Sequence, residues 1–196
     1  PSDSPAAVFG RMLRGDSLLA ADGEQRDGLP WWNAARDRAS LALFARRADS
    51  AARYRSNPID GAHLRGLADA ARAYLVLAKG DSAGALRAFA ALPDSLCLLT
   101  DCFFDKLTQM RLAAALGQDR SAAEIFDRWI FGRHLSPMGV LGTLERGRIA
   151  ERLGQREKAT QSYRFVADVW RNADPELRPY VVEAREGLKR VIGEIH

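Results

Sequence analysis

Three times along the chain an apolar pattern of helical spacing stops at a glycine, crosses a short polar stretch and resumes as a second helical pattern. The glycines are Gly80, Gly117 and Gly154. Each is followed five residues later by an alanine (Ala85, Ala122, Ala159) and nine residues later by an aromatic ring (Phe89, Phe126, Tyr163). All three columns repeat every 37 residues. A fixed period of this size, with each glycine set between two apolar helix patterns, marks stacked helical hairpins. Glycine belongs at the break because it takes the left-handed conformation just past a helix end without steric cost. The alanine and the ring are four apart and share a helix face. The small side chain lets the two helices of a hairpin approach, and the ring fills the space toward the next hairpin.

The register predicts an all-α protein: a right-handed stack of antiparallel helix hairpins, an α-solenoid, with pairs near 64–93, 98–132 and 138–172. Residues 1–62 read as N-terminal helices, 63–173 as the three hairpins and 174–196 as a C-terminal capping helix, in one continuous domain. Within the first segment the pattern predicts a short helix over 6–13, a further turn over 16–21 and a loop over 23–28. A long helix over 31–54 follows, with Leu41, Phe44, Ala48, Ala51 and Ala52 on one side. Asn57-Pro58 breaks it, and Asp60 is the candidate N-cap of the next helix. The segment has the makings of a degenerate fourth hairpin, but one period before Gly80 stands Leu43, so it is out of register. Asp174-Pro175-Glu176 reads as the start of the last helix, with Leu177, Val181, Ala184, Leu188, Val191, Ile192 and Ile195 as its apolar stripe.

The hairpins resemble the tetratricopeptide repeat (TPR) family, whose signature ends in a small residue, an aromatic and a proline. The A-x3-F half is present as Ala85-x3-Phe89, Ala122-x3-Phe126 and Ala159-x3-Tyr163. The first half departs: Asp69 and Arg72, Lys106 and Gln109, Thr143 and Arg146 stand where tryptophan and leucine are expected. The adjoining small residue survives as Ala73 and Gly147 but becomes Met110, and the closing proline is replaced by Cys97, His134 and Arg171. The period exceeds the family's usual length of about 34, which places extra residues near 100–102 and 137–139. The resemblance covers residues 64–173 and is that of a divergent, TPR-like member. It implies that the first helices of the hairpins line a concave groove. Tyr74, Arg111 and Arg148 would share one column of that groove, with Glu151 and Arg152 beside it. Two guanidinium forks in one column suit a carboxylate or an acidic extended segment. The alternative is that Arg111 and Arg148 pair with acidic residues of neighbouring helices.

Composition narrows the classes of function. With 196 residues, 47% of them hydrophobic, the chain can bury a substantial core. No run of eighteen apolar residues predicts a membrane span, and strand patterns are nearly absent. The net charge is +4 and the isoelectric point about 9.4. The basic residues are nearly all arginine and alternate with Asp and Glu, the pattern of ion-paired solvated faces rather than of a nucleic-acid-tracking stripe. The three histidines, His63, His134 and His196, fall in different regions. No nucleophile, acid–base pair, phosphate-binding loop, metal cluster or cofactor motif is evident, so neither catalysis nor a cofactor is expected.

Cys97 and Cys102, the sole cysteines, are five apart in the connection between the first two hairpins. In a continuous helix they would point about 140° apart and could not join. A disulfide becomes possible if Cys97 lies in the loop and Cys102 in the first helical turn; the alternative is two small buried thiols. The opening Pro1-Ser2-Asp3-Ser4-Pro5 has no initiator methionine, which with the cysteine pair suggests an exported, periplasmic protein or a piece of a longer chain. The expected function is a non-catalytic protein–protein interaction scaffold for a peptide or subunit. Two others fit the same features: an accessory subunit built permanently into a membrane-bound envelope, respiratory or photosynthetic complex, and an extracytoplasmic sensor domain of a larger receptor. Trp31, Trp32 and Trp129 are the candidate interface aromatics, because large rings are costly at a solvated surface.

Overall fold

The computed structural model describes residues 4–15, 26–99, 102–130 and 136–193. Among these residues the fold is all-α, with no strand. The helices are α1 (Pro5–Gly15), α2 (Gly28–Ala34), α3 (Arg38–Arg53), α4 (Pro58–Ala78), α5 (Ser82–Ala90), α6 (Leu96–Leu99), α7 (Phe103–Ala115), α8 (Asp119–Ile125), α9 (Pro137–Arg152), α10 (Arg156–Val169) and α11 (Arg178–Gly193). A π-helical turn, Phe126–Ile130, extends α8. The chain divides into two compact units, Pro1–Asp105 and Lys106–His196.

The repeated glycine does what its position requires. Gly80, Gly117 and Gly154 have φ of +90°, +75° and +67°. At each, the glycine N–H donates to the carbonyl three residues back (Leu77, Ala114, Glu151) and the next N–H donates to the carbonyl five back (Val76, Ala113, Ala150). This paired closure satisfies carbonyls that a helix end would leave open. The residues set downstream by the period are all buried: Ala85, Ala122 and Ala159 fully, and Phe89, Phe126 and Tyr163 to within 5% of full burial.

In the first unit α3 packs along α4, and α4 along α5 and α6. Small residues make these approaches close: Ala45, Ala48 and Ala52 on α3, and Ala68 and Ala71 on α4, are buried. Gly66 receives Leu96 of α6, whose Cδ1 lies 3.1 Å from where a Cβ would stand. The expected long helix over 31–54 is two helices. Arg36 adopts φ +55°, and the Asp37 carboxylate accepts the Ser40 N–H at 3.0 Å, capping a new helix. Arg38 then reaches across to donate two hydrogen bonds to the Ala78 carbonyl at the end of α4. The N-cap of α4 is Asn57, which accepts the Ile59 N–H, with Pro58 in the first turn; Asp60 lies inside the helix instead. The expected turn over 16–21 lies outside the described residues.

In the second unit α10 packs against both α9 and α11 around Val140, Leu144, Tyr163, Val166, Val181 and Ala184. The last helix begins at Arg178 rather than at Asp174. It keeps the 37-residue register: Val181, Ala184 and Arg185 stand one period after Leu144, Gly147 and Arg148, and Val181 and Ala184 are buried as Leu144 and Gly147 are. Ile192, assigned to the apolar stripe, is 44% exposed instead. Ile195 lies outside the described residues.

Candidate functional site

The arginines that the repeat register places in one column belong to a ladder of ion pairs in the second unit. Arg111 of α7 donates from Nε to Glu145 Oε1 at 3.0 Å. Arg148 of α9 reaches the same oxygen from Nη1 at 2.9 Å and grips Glu183 of α11 through both Nε and Nη2. Charge therefore alternates along Arg111, Glu145, Arg148 and Glu183. The hydrogen bond to Glu183 is the largest influence holding Arg148 more firmly protonated than an ordinary arginine, against its partial burial. Beside the ladder, Arg152 makes a fork-to-fork pair with Asp119, Nη2 to Oδ1 at 2.6 Å and Nε to Oδ2 at 3.0 Å. Glu151 accepts from Arg190 Nε at 2.7 Å and from the Tyr163 hydroxyl at 2.6 Å.

These contacts set the protonation of the group. The Arg190 hydrogen bond, with help from Tyr163, holds Glu151 below the usual carboxylate range although burial opposes it. Burial first, then the Glu151 carboxylate, push the Tyr163 phenol above its ordinary range. Each expected groove residue of the second unit, Arg111, Arg148, Glu151 and Arg152, thus has an intramolecular partner. Arg111 and Arg152 still show 47% and 46% of their side chains to solvent. The arrangement offers planar cationic forks already matched to carboxylates.

The remaining candidates fall in the first unit or outside the described residues. Tyr74 is fully buried and meets Phe89 edge-on at 4.9 Å between ring centroids, so it belongs to the core and not to a binding surface. A helix position in the same column as the two arginines proves to be an aromatic packing site. Trp32 is likewise fully buried, with its indole N–H donating to the Ala6 carbonyl at 3.1 Å and its ring tilted against Phe44. It cannot reach a partner. Trp31 is 46% exposed. The side chain of Trp129 lies outside the described residues. Cys97 in α6 and Cys102, just ahead of α7, form a disulfide with Cα atoms 5.0 Å apart.

Sequence reasoning did not single out Glu145, Glu183, Tyr163 as a hydrogen-bond donor, or Arg190. A signal was present: Arg111 and Glu145, and Arg148 and Glu183, are 34 and 35 residues apart, close to one repeat. Also unforeseen is Arg146, 3% exposed, which pairs with Asp127 and lies 5.9 Å from the Phe126 ring centroid. In the first unit a buried pair joins Arg26 to Asp105, and His63 Nδ1 is buried without a hydrogen-bond partner. Burial, reinforced by Arg26, lowers the His63 pKa. Among the described residues no group of three His, Cys, Asp or Glu side chains could hold a metal, and no helix is long and apolar enough to cross a membrane. Comparison with protein-family models, with curated proteins and with solved structures finds no match to this chain.

Proposed function

We propose that the protein is a non-catalytic protein–protein interaction scaffold, built of TPR-like hairpins, that binds a peptide or a subunit of a partner protein. The observation that carries this reading is the convergence of Arg111 and Arg148 on a single carboxylate oxygen of Glu145. Two forked cations on one acceptor form a site that a partner's carboxylate can enter by exchange, and solvent-exposed pairs of this kind hold each other only weakly. The three glycine turns with the same closure, each followed by a buried alanine and a buried ring, support the repeat architecture behind it. The disulfide supports an oxidising, extracytoplasmic compartment.

A second reading is favoured by one observation. Trp31 is exposed, as are Val8 and Met12 in the same unit. Exposed large apolar side chains suit a subunit held permanently in a larger membrane-bound assembly. Co-purification from solubilised native membranes and soluble extract separates the two. The interaction reading expects Arg111→Ala/Arg148→Ala to lose the partner, and the wild-type complex to weaken with salt. A silent double variant combined with release by Trp31→Ala defeats it in favour of the assembly subunit.

A further inference from the structure

The arginine ladder has a third position, Arg185, that no carboxylate among the described residues matches. Arg111, Arg148 and Arg185 stand one 37-residue period apart. The first two are matched by Glu145 and Glu183 from the following helices of the register. Arg148 has in addition Glu145 three residues before it on its own helix. At the corresponding place before Arg185 the chain has Val182, which is 52% exposed. An apolar side chain stands where the acid would, and among the described residues Arg185 makes no ion pair.

Arg185 does not stand alone. It lines a cleft of about 370 Å³ between α11 and the segment after α10, together with Arg171, Arg178, Trp170 and the two valines Val181 and Val182. All three arginines are exposed, and among the described residues none forms an ion pair and no acidic residue lines the cleft. This contrasts with Arg111, Arg146, Arg148, Arg152 and Arg190 of the same unit, each of which is matched by a carboxylate. Asn172 adds a side-chain amide at the rim. Arg178 and Arg185 are two turns apart on one face of α11, separated by about 10 Å along its axis, with Val182 between them. An extended segment turns alternate side chains to opposite faces and rises about 3.3 Å per residue, so carboxylates four positions apart share a face and stand about 13 Å apart, a span that two long arginine side chains reach by splaying outward.

We propose that this cleft binds an extended acidic segment of a partner protein, in which two carboxylates four residues apart flank an apolar side chain midway between them. The carboxylates take on Arg185 and Arg178 the role that Glu145 and Glu183 take on Arg111 and Arg148. The apolar side chain rests on Val182 and the edge of Trp170. The inference rests on the interaction-scaffold reading and names the chemistry of its partner, at a place separate from the Arg111–Arg148 pair.

The test is fluorescence anisotropy of a labelled synthetic peptide with glutamates four positions apart and a leucine midway between them, titrated with the full chain at low salt. Saturable binding is expected. It should weaken by about tenfold or more in Arg178→Ala/Arg185→Ala, and by a similar factor when glutamines replace the glutamates. The double variant should keep the wild-type melting curve, since exposed arginines without partners add little stability. Arg111→Ala/Arg148→Ala should bind the peptide as the wild type does. Equal affinity in the Arg178/Arg185 variant overturns the proposal, as does the absence of saturation up to about 1 mM peptide. Tighter binding of a single-stranded oligonucleotide than of the peptide also overturns it. Loss of peptide binding only in the Arg111/Arg148 variant would leave the scaffold reading standing and refute this cleft.

Discussion

The hydroxyl of Tyr163 on α10 donates to the carboxylate of Glu151 on α9 at 2.6 Å, while the ring of the same tyrosine fills the space between Gly147 and Gly187. One side chain therefore packs against both α9 and α11 and hydrogen-bonds to α9 at once. Tyr163→Phe keeps the ring and removes the donor, and is expected to destabilise by about 1 kcal/mol, with Glu151 still held by Arg190. Chemical denaturation at pH 7 measures it.

The same contact sets a pH dependence with two limbs. Glu151 has a depressed pKa in the folded chain, so its contribution is present above the ordinary carboxylate range and is lost as pH falls through the folded value. Tyr163 has a raised pKa, so its contribution is present below about pH 10, the ordinary tyrosine value, and is lost as pH rises beyond it. Denaturation midpoints across pH should fall on both sides. Tyr163→Phe should flatten the alkaline limb, and an unchanged alkaline slope would contradict the assignment.

Gly187→Ala should be as damaging as a core substitution, although it adds only a methyl group. Its Cβ would stand 2.6 Å from two atoms of the Tyr163 ring, which is fully buried and cannot move aside. Overpacking of this kind costs about 1–3 kcal/mol. In a Tyr163→Ala background the same change should turn neutral or favourable, because alanine is the better helix former by up to about 1 kcal/mol. Additive effects in that double-mutant cycle would refute the contact.

Phe126→Ala should destabilise by about 3–5 kcal/mol, because the ring is buried and also faces the guanidinium of buried Arg146. A thermal melt that does not move would show that the ring is dispensable.

Alkylation of the native protein should leave Cys97 and Cys102 unmodified until a reductant is added, as read by mass spectrometry. Their ring is short, so Cys97→Ser/Cys102→Ser should lower stability by only about 2 kcal/mol, the modest value expected for a small loop.

What could be read from the chain, and what could not, follows from the range of the interactions involved. The turns at Gly80, Gly117 and Gly154 were legible because a left-handed helix end leaves a local mark, a glycine between two apolar patterns. The break at Arg36 was not foreseen, because a non-glycine residue takes the left-handed conformation there. The clue lay one residue on, in the spacing of Asp37 and Ser40, which form an N-cap. Tyr74 and Arg111 occupy the same column, yet the first is buried by Phe89, and only tertiary packing distinguishes them. The acidic partners of Arg111 and Arg148 lie nearly a full repeat away, beyond the reach of local periodicity. The sequence does not decide the disulfide for the same reason: whether two cysteines five apart can meet depends on where one helix ends and the next begins.

The three glycine turns differ from the glycines at the Tyr163 ring in what they ask of a side chain. An added Cβ at Gly80, Gly117 or Gly154 would meet nothing within 4 Å, so these sites demand a torsion angle and leave the volume empty. A residue of inverted chirality meets that demand without torsional strain, since its favoured backbone region is the mirror image of the ordinary one. D-alanine introduced by chemical ligation at each turn should therefore keep the fold while restricting the unfolded chain, a gain of about 0.4–1 kcal/mol per site. L-alanine at the same positions should do the opposite, so the handedness of one carbon atom, repeated every 37 residues, becomes a dial on the stability of the protein.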